Sequence, residues 1–225
     1  MKLILMTPPT CFVEEDKIIT ALFEEGLDIL HLRKPDTAPM YAERLLTLIP
    51  EQYHKRIVVH ENFYLKEEYK LKGIHLNSRN PNVPANYKGH ISHSCHSLEE
   101  VKEMKRQCDY VFLSPVFDSI SKINYNANYT PEEIRKAHKA GIIDRKVIAL
   151  GGIDVDNIRD VKKSGFGGAA ILGALWNKFD SCTDRDYTQL IEHFKKLKKL
   201  ADYFAVLIII RNFALLDINL ILLFK

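Results

Sequence analysis

A regular alternation between short apolar runs and longer amphipathic segments constrains the fold more than any other feature of this sequence. Eight runs rich in Ile, Val, Leu and Ala recur between residues 3 and 172. Most are separated by segments in which apolar residues recur at helical spacing. Strands that alternate with helices in this way form parallel sheets, because each helix returns the chain to the start of the next strand. Eight repeats predict an α/β fold, a single (β/α)8 TIM barrel.

Capping residues mark several boundaries of these elements. Ser97 and Thr130 each stand three residues before a glutamate, the spacing of a capping box. Asp154 and Gly165 would begin and end the helix that follows the Gly-Gly pair at residues 151–152. The predicted strands are residues 3–6, 29–32, 57–59, 73–76, 90–94, 110–113, 147–150 and 168–172, and the predicted helices include 17–25, 40–48, 98–106, 131–140 and 155–164. Residues 77–89 are rich in Asn and Pro, so we expect no helix there.

Length and composition indicate one domain followed by an unusually apolar C-terminal segment. A chain of 225 residues that is 46% hydrophobic can build one sizeable core. We assign residues 1–199 to the barrel and residues 200–225 to an apolar C-terminal extension. Arg211 and Asp217 interrupt that extension too often for a confident membrane span. A packing or homo-oligomer-forming extension, an unstructured tail and a membrane-associated segment remain open.

Charge and cysteine usage exclude some classes of partner and place the protein in a compartment. The net charge is only +3 and the basic residues are spread along the chain, so no nucleic-acid-binding face is expected. The four cysteines show no CxxC spacing, and the N-terminus lacks a charged region followed by an apolar one. These features predict a cytoplasmic protein whose thiols stay reduced.

Polar residues and glycines cluster where the predicted strands end. The carboxyl ends of barrel strands meet on one rim, where the βα loops build the active site. Glycines let backbone N–H groups approach a phosphate closely, and Arg or Lys on other strands would hold a second anion. The residues expected on this rim are Arg33, Lys34, His60, Glu61, Ser94, Lys122, Gly152, Leu172 and Gly173. The pattern predicts a site for two phosphorylated small molecules, although a Gly-Gly pair is also compatible with a simple tight turn.

Four segments resemble the superfamily of thiamine phosphate synthase and thiazole tautomerase. Residues 109–122, which read DYVFLSPVFDSISK, resemble the family segment DY(x)3GPVFxTxTK with serines for threonines. The sequence SCHSLEE at 94–100 resembles S-x-H-S-x-E-E, GIHL at 73–76 resembles GVHLG, and IALGGI at 148–153 resembles the AIGGI turn. The resemblance runs from residue 1 to about residue 199.

The resemblance implies an enzyme that joins hydroxymethylpyrimidine diphosphate to thiazole phosphate. Diphosphate would leave with the help of Mg2+, through a pyrimidine carbocation-like state. By matching position, Arg33 and Lys122 would hold the diphosphate, and Ser94 would lie near the pyrimidine and the leaving group. The residues that would hold the thiazole phosphate are Ser119, Ser121, Gly152, Leu172 and Gly173.

The sequence departs from the synthase pattern at several positions. After the second strand the family has Gln-x-Arg-x-Lys, whereas this chain has His31 and a lysine shifted by one residue to Lys34. After the third strand it has His60 and Glu61 in place of Asn-Asp, and Asn80 replaces the second magnesium aspartate. By position, His31, Lys34 and His60 would bind substrate, and Glu61 and Asn80 would bind Mg2+. Loss of a carboxylate weakens such a metal site.

These departures leave two alternatives to the synthase. The tautomerase branch isomerises a thiazole carboxylate phosphate and needs neither magnesium nor a diphosphate pocket. His31 fits that branch, but Pro115 occupies the position of its catalytic histidine, so another group would have to act as general acid or base. The other alternative is a barrel that binds a phosphorylated ligand without catalysis.

Overall fold

The computed structural model describes residues 1–118, 128–180 and 186–202, and within them the predicted barrel is confirmed. Eight parallel strands pair in the order of the sequence, and β8 pairs with β1 to close the ring. The strands are β1 (Lys2–Met6), β2 (Ile29–Leu32), β3 (Ile57–Val59), β4 (Gly73–Leu76), β5 (His90–Cys95), β6 (Tyr110–Leu113), β7 (Val147–Leu150) and β8 (Gly168–Ile171). The α-helices are α1 (Glu15–Glu24), α2 (Pro39–Leu48), α3 (Leu65–Glu68), α4 (Leu98–Met104), α5 (Pro131–Lys139), α6 (Ile158–Lys163), α7 (Gly173–Trp176) and α8 (Thr188–Asp202), with a 3-10 helix at Glu51–Arg56.

Most of the capping predictions are confirmed. Ser97 caps α4 through the backbone N–H of residue 100, and Thr130 forms the full capping box at the start of α5. Gly165 follows α6 with φ of 85°, a conformation that favours glycine. The prediction for Asp154 is wrong, because α6 begins at Ile158 and its N-cap is Asn157, three residues after Asp154. The Asp154 carboxylate instead accepts a hydrogen bond from the N–H of the next residue, within a turn.

Alternation along the strands builds two layers of core. Side chains that point outward, such as Leu3 and Leu5, pack against the ring of helices. Side chains that point inward, such as Ile4, Phe112 and Ile148, fill the barrel itself. The loop between β4 and β5 contains no helix, as the sequence predicts. One inward layer is polar, and it supports the candidate site.

The last described helix, α8, packs against α1, α6, α7 and β1. The carbonyl of Ala201 accepts hydrogen bonds from the N-terminus and from Lys162 Nζ, and Phe194 and Leu197 are fully buried. Helix α8 ends at Asp202, close to the predicted boundary at residue 199, and the division into barrel and extension stays a prediction. The rest of the apolar extension, residues 203–225, lies outside the described residues. None of the described helices is long and apolar enough to cross a membrane.

Candidate functional site

A cavity of about 340 Å3 opens at the carboxyl ends of the strands. This is the rim where barrel enzymes hold their substrates. The lining residues are Met6, Arg33, His60, Asn77, Ser78, Arg79, Ser94, His96, Ser114, Pro115, Leu150, Gly151, Gly152, Ile153, Ala170, Ile171, Leu172, Gly173 and Ala174. The structure therefore brings together six of the residues singled out in the sequence, namely Arg33, His60, Ser94, Gly152, Leu172 and Gly173.

The glycine pair after β7 shapes one wall of the cavity. Gly151 and Gly152 have φ of 100° and 63°, which side chains rarely tolerate. A Cβ on Gly152 would also overlap the backbone carbonyl of Asp118. The backbone N–H of Phe117 donates a hydrogen bond to the carbonyl of Gly151 at 3.2 Å. The two glycines thus allow the chain after β6 to lie directly against the turn after β7.

Backbone donors continue this wall at the end of β8. Leu172, Gly173 and Ala174 line the cavity, and α7 begins at Gly173. The first N–H groups of a helix have no partner within the helix, so they are available to a ligand. Together with the backbone of the turn at Gly152, they can donate hydrogen bonds to a phosphate group.

Two arginines line the part of the cavity formed by β2 and β4. The backbone of Arg33 exchanges two hydrogen bonds with Thr7 Oγ1, both of 2.9 Å, which fixes its position. Its guanidinium makes no hydrogen bond with any described residue. Burial and the neighbouring Arg79 lower the pKa of Arg33. Sequence reasoning missed Arg79, although its place on the same rim, in the loop after the fourth strand, was a sufficient signal.

Beneath the cavity lies a layer of hydrogen-bonded polar side chains. His60 Nε2 is 2.8 Å from His31 Nδ1, and His31 Nε2 is 2.5 Å from the hydroxyl of Tyr110. Tyr110 also bonds to Ser92. His75 then bridges Ser92 and Ser94 through its two ring nitrogens, at 2.8 Å each. The chain of bonds begins and ends at cavity-lining residues, His60 and Ser94.

This polar layer is electrically neutral. Burial lowers the pKa values of His31 and His60 well below the usual range, and that of His75 to about 3. His31 is fully buried and does not line the cavity, which corrects the expectation that it binds substrate. It instead fixes the ring of His60, which does face the cavity.

The three histidines are also close enough to one another to hold a metal ion. Ring nitrogens of His31, His60 and His75 lie within 4.8 Å of one another. Their nitrogens are already engaged with each other, with Tyr110 and with serine hydroxyls, so the cluster is satisfied without an ion. No sequence motif indicates this cluster, because its histidines come from three different parts of the barrel.

Lys34 lies on the outer side of β2, away from the cavity. Its Nζ binds both carboxylate oxygens of Glu15, at 2.7 and 2.8 Å, and the carbonyls of Pro8 and Thr10. Both charged side chains are buried, and burial raises the pKa of Glu15 to about 7 despite the lysine. This corrects the expectation that Lys34 contacts substrate, since its ammonium holds the loop after β1.

The positions that the resemblance assigns to magnesium do not fit the ion. Glu61 Oε2 accepts the backbone N–H of Lys34 at 3.1 Å, and Oε1 faces the guanidinium of Arg79 at 3.4 Å. The side-chain amide of Asn80 donates to the carbonyl of His60 at 3.0 Å. Neither Glu61 nor Asn80 lines the cavity. Mg2+ prefers unengaged oxygen ligands, and here a cation already occupies the one carboxylate.

Ser119, Ser121 and Lys122 lie outside the described residues. The residues on either side of that segment are fixed at the cavity rim. Asp118 lies against Gly152, and the backbone N–H of Asn128 donates to the carbonyl of Pro115 at 3.3 Å.

Comparisons with known proteins agree with this architecture. Residues 3–175 match the family described as thiamine monophosphate synthase. The thiamine-phosphate synthase of Actinobacillus succinogenes is 27% identical over 136 residues, which are 57% of this chain and 61% of that protein. That of Staphylococcus saprophyticus is 25% identical over 70% of this chain and 79% of its own length.

A solved structure gives a stronger match. The crystal structure of thiamine phosphate pyrophosphorylase from Bacteroides thetaiotaomicron has 67% identity and a TM-score of 0.84, covering 90% of this chain and 98% of that one. The family match covers well over half of the chain, residues 3–175. The chain belongs to the thiamine monophosphate synthase family.

Proposed function

We propose that this protein is a thiamine-phosphate synthase, a transferase that joins hydroxymethylpyrimidine diphosphate to thiazole phosphate and releases diphosphate. The observation that carries this proposal is one cavity with two separate anion-binding regions. Glycine amides of β7 and β8 form one, and the arginines after β2 and β4 form the other, across the ring. A volume of about 340 Å3 lies within the range of small-molecule sites.

The residues of the first region suit the thiazole phosphate. Gly152, Leu172 and Gly173 present backbone N–H groups, as the matching family positions imply. Ser119 and Ser121 would add hydroxyl donors from the chain after β6. This region binds and orients one substrate without forming a covalent bond to it.

The second region suits the diphosphate that leaves. Negative charge grows on the departing group, so positioned cations lower the barrier. Arg33 and Lys122 would take this role, and Ser94 would lie near the pyrimidine and the leaving group. Lys122 is four residues after the rim residue Asp118 in the sequence. Four residues of extended chain span at most about 14 Å. Magnesium would supply further positive charge, but the residues at its family positions do not fit it, so no step depends on the ion.

The tautomerase alternative is weaker. Isomerisation requires a proton to be moved, and Pro115, at the position of the tautomerase's histidine, lines the cavity without a titratable group. The relatives named above are synthases, which also disfavours a barrel that only binds a ligand. We place the reaction in the cytoplasm, with small phosphorylated heterocycles as its ligands, and leave homo-oligomer formation as a sequence-based expectation.

The decisive experiment is product identification. The purified full chain is incubated with both heterocyclic phosphates, with and without Mg2+, and the products are identified by mass spectrometry. Thiamine phosphate and diphosphate should appear in equal amounts. A parallel incubation contains thiazole carboxylate phosphate alone. Its isomerisation there, with no thiamine phosphate formed in the first incubation, would support the tautomerase and refute the proposal.

Lys122→Ala tests the second region directly. Loss of one charge-assisted contact to a developing anion costs about 2–4 kcal/mol, so kcat should fall by about 10²–10³-fold. Lys102→Ala, which removes an exposed lysine from α4, is the matched control and should retain full activity. Equal turnover of the two variants would remove Lys122 from the site.

A further inference from the structure

Arg79 is the cavity-lining cation that neither the sequence motifs nor the family resemblance assigns. It is presented by a closed turn after β4. Asn77 and Asn80 exchange two backbone hydrogen bonds, of 3.2 and 3.1 Å, and Asn77 Oδ1 accepts the backbone N–H of Arg79 at 3.0 Å. The turn fixes the backbone of Arg79, so ligand binding has to order only its side chain.

Two cations and two carboxylates lie near this turn, and only the cations line the cavity. Arg33 and Arg79 line the cavity, whereas Glu61 and Asp36 do not. Glu61 contacts Arg79 through one nitrogen at 3.4 Å, a long contact at a side chain that is 46% exposed. A guanidinium has five N–H donors, so most of those on Arg79 remain available. The cavity thus presents two neighbouring cations, with Glu61 beside them but not among the residues that line it.

Two guanidinium groups held on one side of a cavity repel each other until an anion binds. A diphosphate suits such a pair, because its two phosphoryl groups can each accept paired N–H donors. The same guanidinium lies beside Glu61, the one carboxylate at the family's metal positions, where it disfavours a divalent cation. These observations together link the loss of the metal site to the presence of Arg79.

We propose that Arg79 and Arg33 together bind the diphosphate of the substrate, with the Arg79 guanidinium in place of a divalent metal ion. This inference rests on the proposed function and names the ligand group of its second region. It makes diphosphate binding independent of Mg2+ in this protein.

The test is the binding of inorganic diphosphate to the full chain, measured by isothermal titration calorimetry in EDTA and again in excess Mg2+. The wild-type protein should bind in EDTA, with affinity within about threefold of that in Mg2+. Arg79→Ala should weaken binding in EDTA by about 10- to 100-fold, the usual effect of losing a hydrogen bond between charged groups. Arg106→Ala removes the same charge from an exposed turn before β6, at the other end of the barrel, and should change nothing.

A double variant tests the substitution of metal by guanidinium. Arg79→Ala combined with Asn80→Asp removes the cation and restores the second carboxylate. Its diphosphate binding should be weak in EDTA and recover at least tenfold in Mg2+. A double variant indifferent to Mg2+ would overturn the replacement of metal by Arg79.

Two other results would overturn the inference. One is a wild-type protein that binds diphosphate only with Mg2+, and the other is an Arg79→Ala variant that binds as tightly as wild type. Diphosphate binding is measured without the heterocycles and without turnover. Failure of the synthase assay therefore leaves this measurement intact, and a metal requirement here would leave synthase activity possible.

Discussion

Acidification should destabilise the fold through the buried histidine layer, and His75 gives the most direct test. His75 is fully buried, and both of its ring nitrogens are bonded to serine hydroxyls. Burial lowers its pKa to about 3, against 6.5 for an ordinary histidine. Below pH 6.5 the unfolded chain therefore binds a proton that the folded chain does not. The stability that depends on neutral His75 is fully present above pH 6.5 and is lost as the pH falls towards 3.

The size of the effect follows from proton linkage. Each pH unit between the two pKa values changes the free energy of unfolding by about 1.4 kcal/mol for each histidine. Between pH 6.5 and pH 5, His75 alone should therefore remove about 2 kcal/mol. His31 and His60 act in the same direction, so the wild-type protein should lose more than this.

The assay isolates His75 by comparison with His75→Gln. Urea unfolding is measured at pH 7 and pH 5 for both proteins, and the difference between them should shrink by about 2 kcal/mol at pH 5. Phe112→Leu, a core change whose ring lies 4.8 Å from His75, should give the same difference at both pH values. NMR titration of the His75 ring is a second readout if the variant folds poorly. A constant difference, or a His75 ring that titrates near pH 6.5, would refute the neutral layer.

Three other substitutions have expected outcomes. Lys34→Ala should lower the free energy of unfolding, measured in urea, by about 3–5 kcal/mol, because Glu15 would stay buried without its partner. Lys34→Met combined with Glu15→Gln should recover much of this loss. A small loss for Lys34→Ala would mean that the pair is not buried in solution. Gly152→Ala should weaken binding of thiazole phosphate at least tenfold in calorimetry, because the new methyl group overlaps the chain after β6; unchanged affinity would show that this turn does not shape the phosphate region. Thr130→Ala should cost about 1 kcal/mol of stability through loss of the capping box, with kcat unchanged; a drop in activity would give that helix an unexpected role.

The fold could be predicted because strand and helix periods are local properties of the sequence. Each apolar run of the right length became a strand, and the loop after β4 could be recognised from its Asn and Pro content. The start of α6 could not be placed, because Asp154 and Asn157 are both good capping residues and only the bonding of the turn decides between them. Local preference identified the helix but did not choose its first residue.

The site was predicted in part, and the failures share a cause. Arg33, His60 and Ser94 line the cavity because each continues the inward-pointing series of its strand. Lys34 and Glu61 immediately follow Arg33 and His60, so simple alternation turns them to the opposite face. Their place in the family pattern depends on sequence order alone and carries no information about this alternation. The histidine layer could not be predicted, since it depends on the register between β2, β3 and β4.

The same alternation accounts for the charge of the cavity. On β2 and β3 the inward series ends in a cation and a neutral histidine, while Lys34 and Glu61 point outward, where Lys34 is neutralised by Glu15. The layer beneath the cavity is held neutral by burial, so no carboxylate below weakens the field of Arg33 and Arg79. A metal ion at Glu61 would therefore lie outside this inward series, whereas Arg33 ends it and Arg79 lines the same cavity from the turn after β4. If the protein is a synthase as proposed, we therefore expect its own cations, rather than a bound ion, to meet the departing diphosphate.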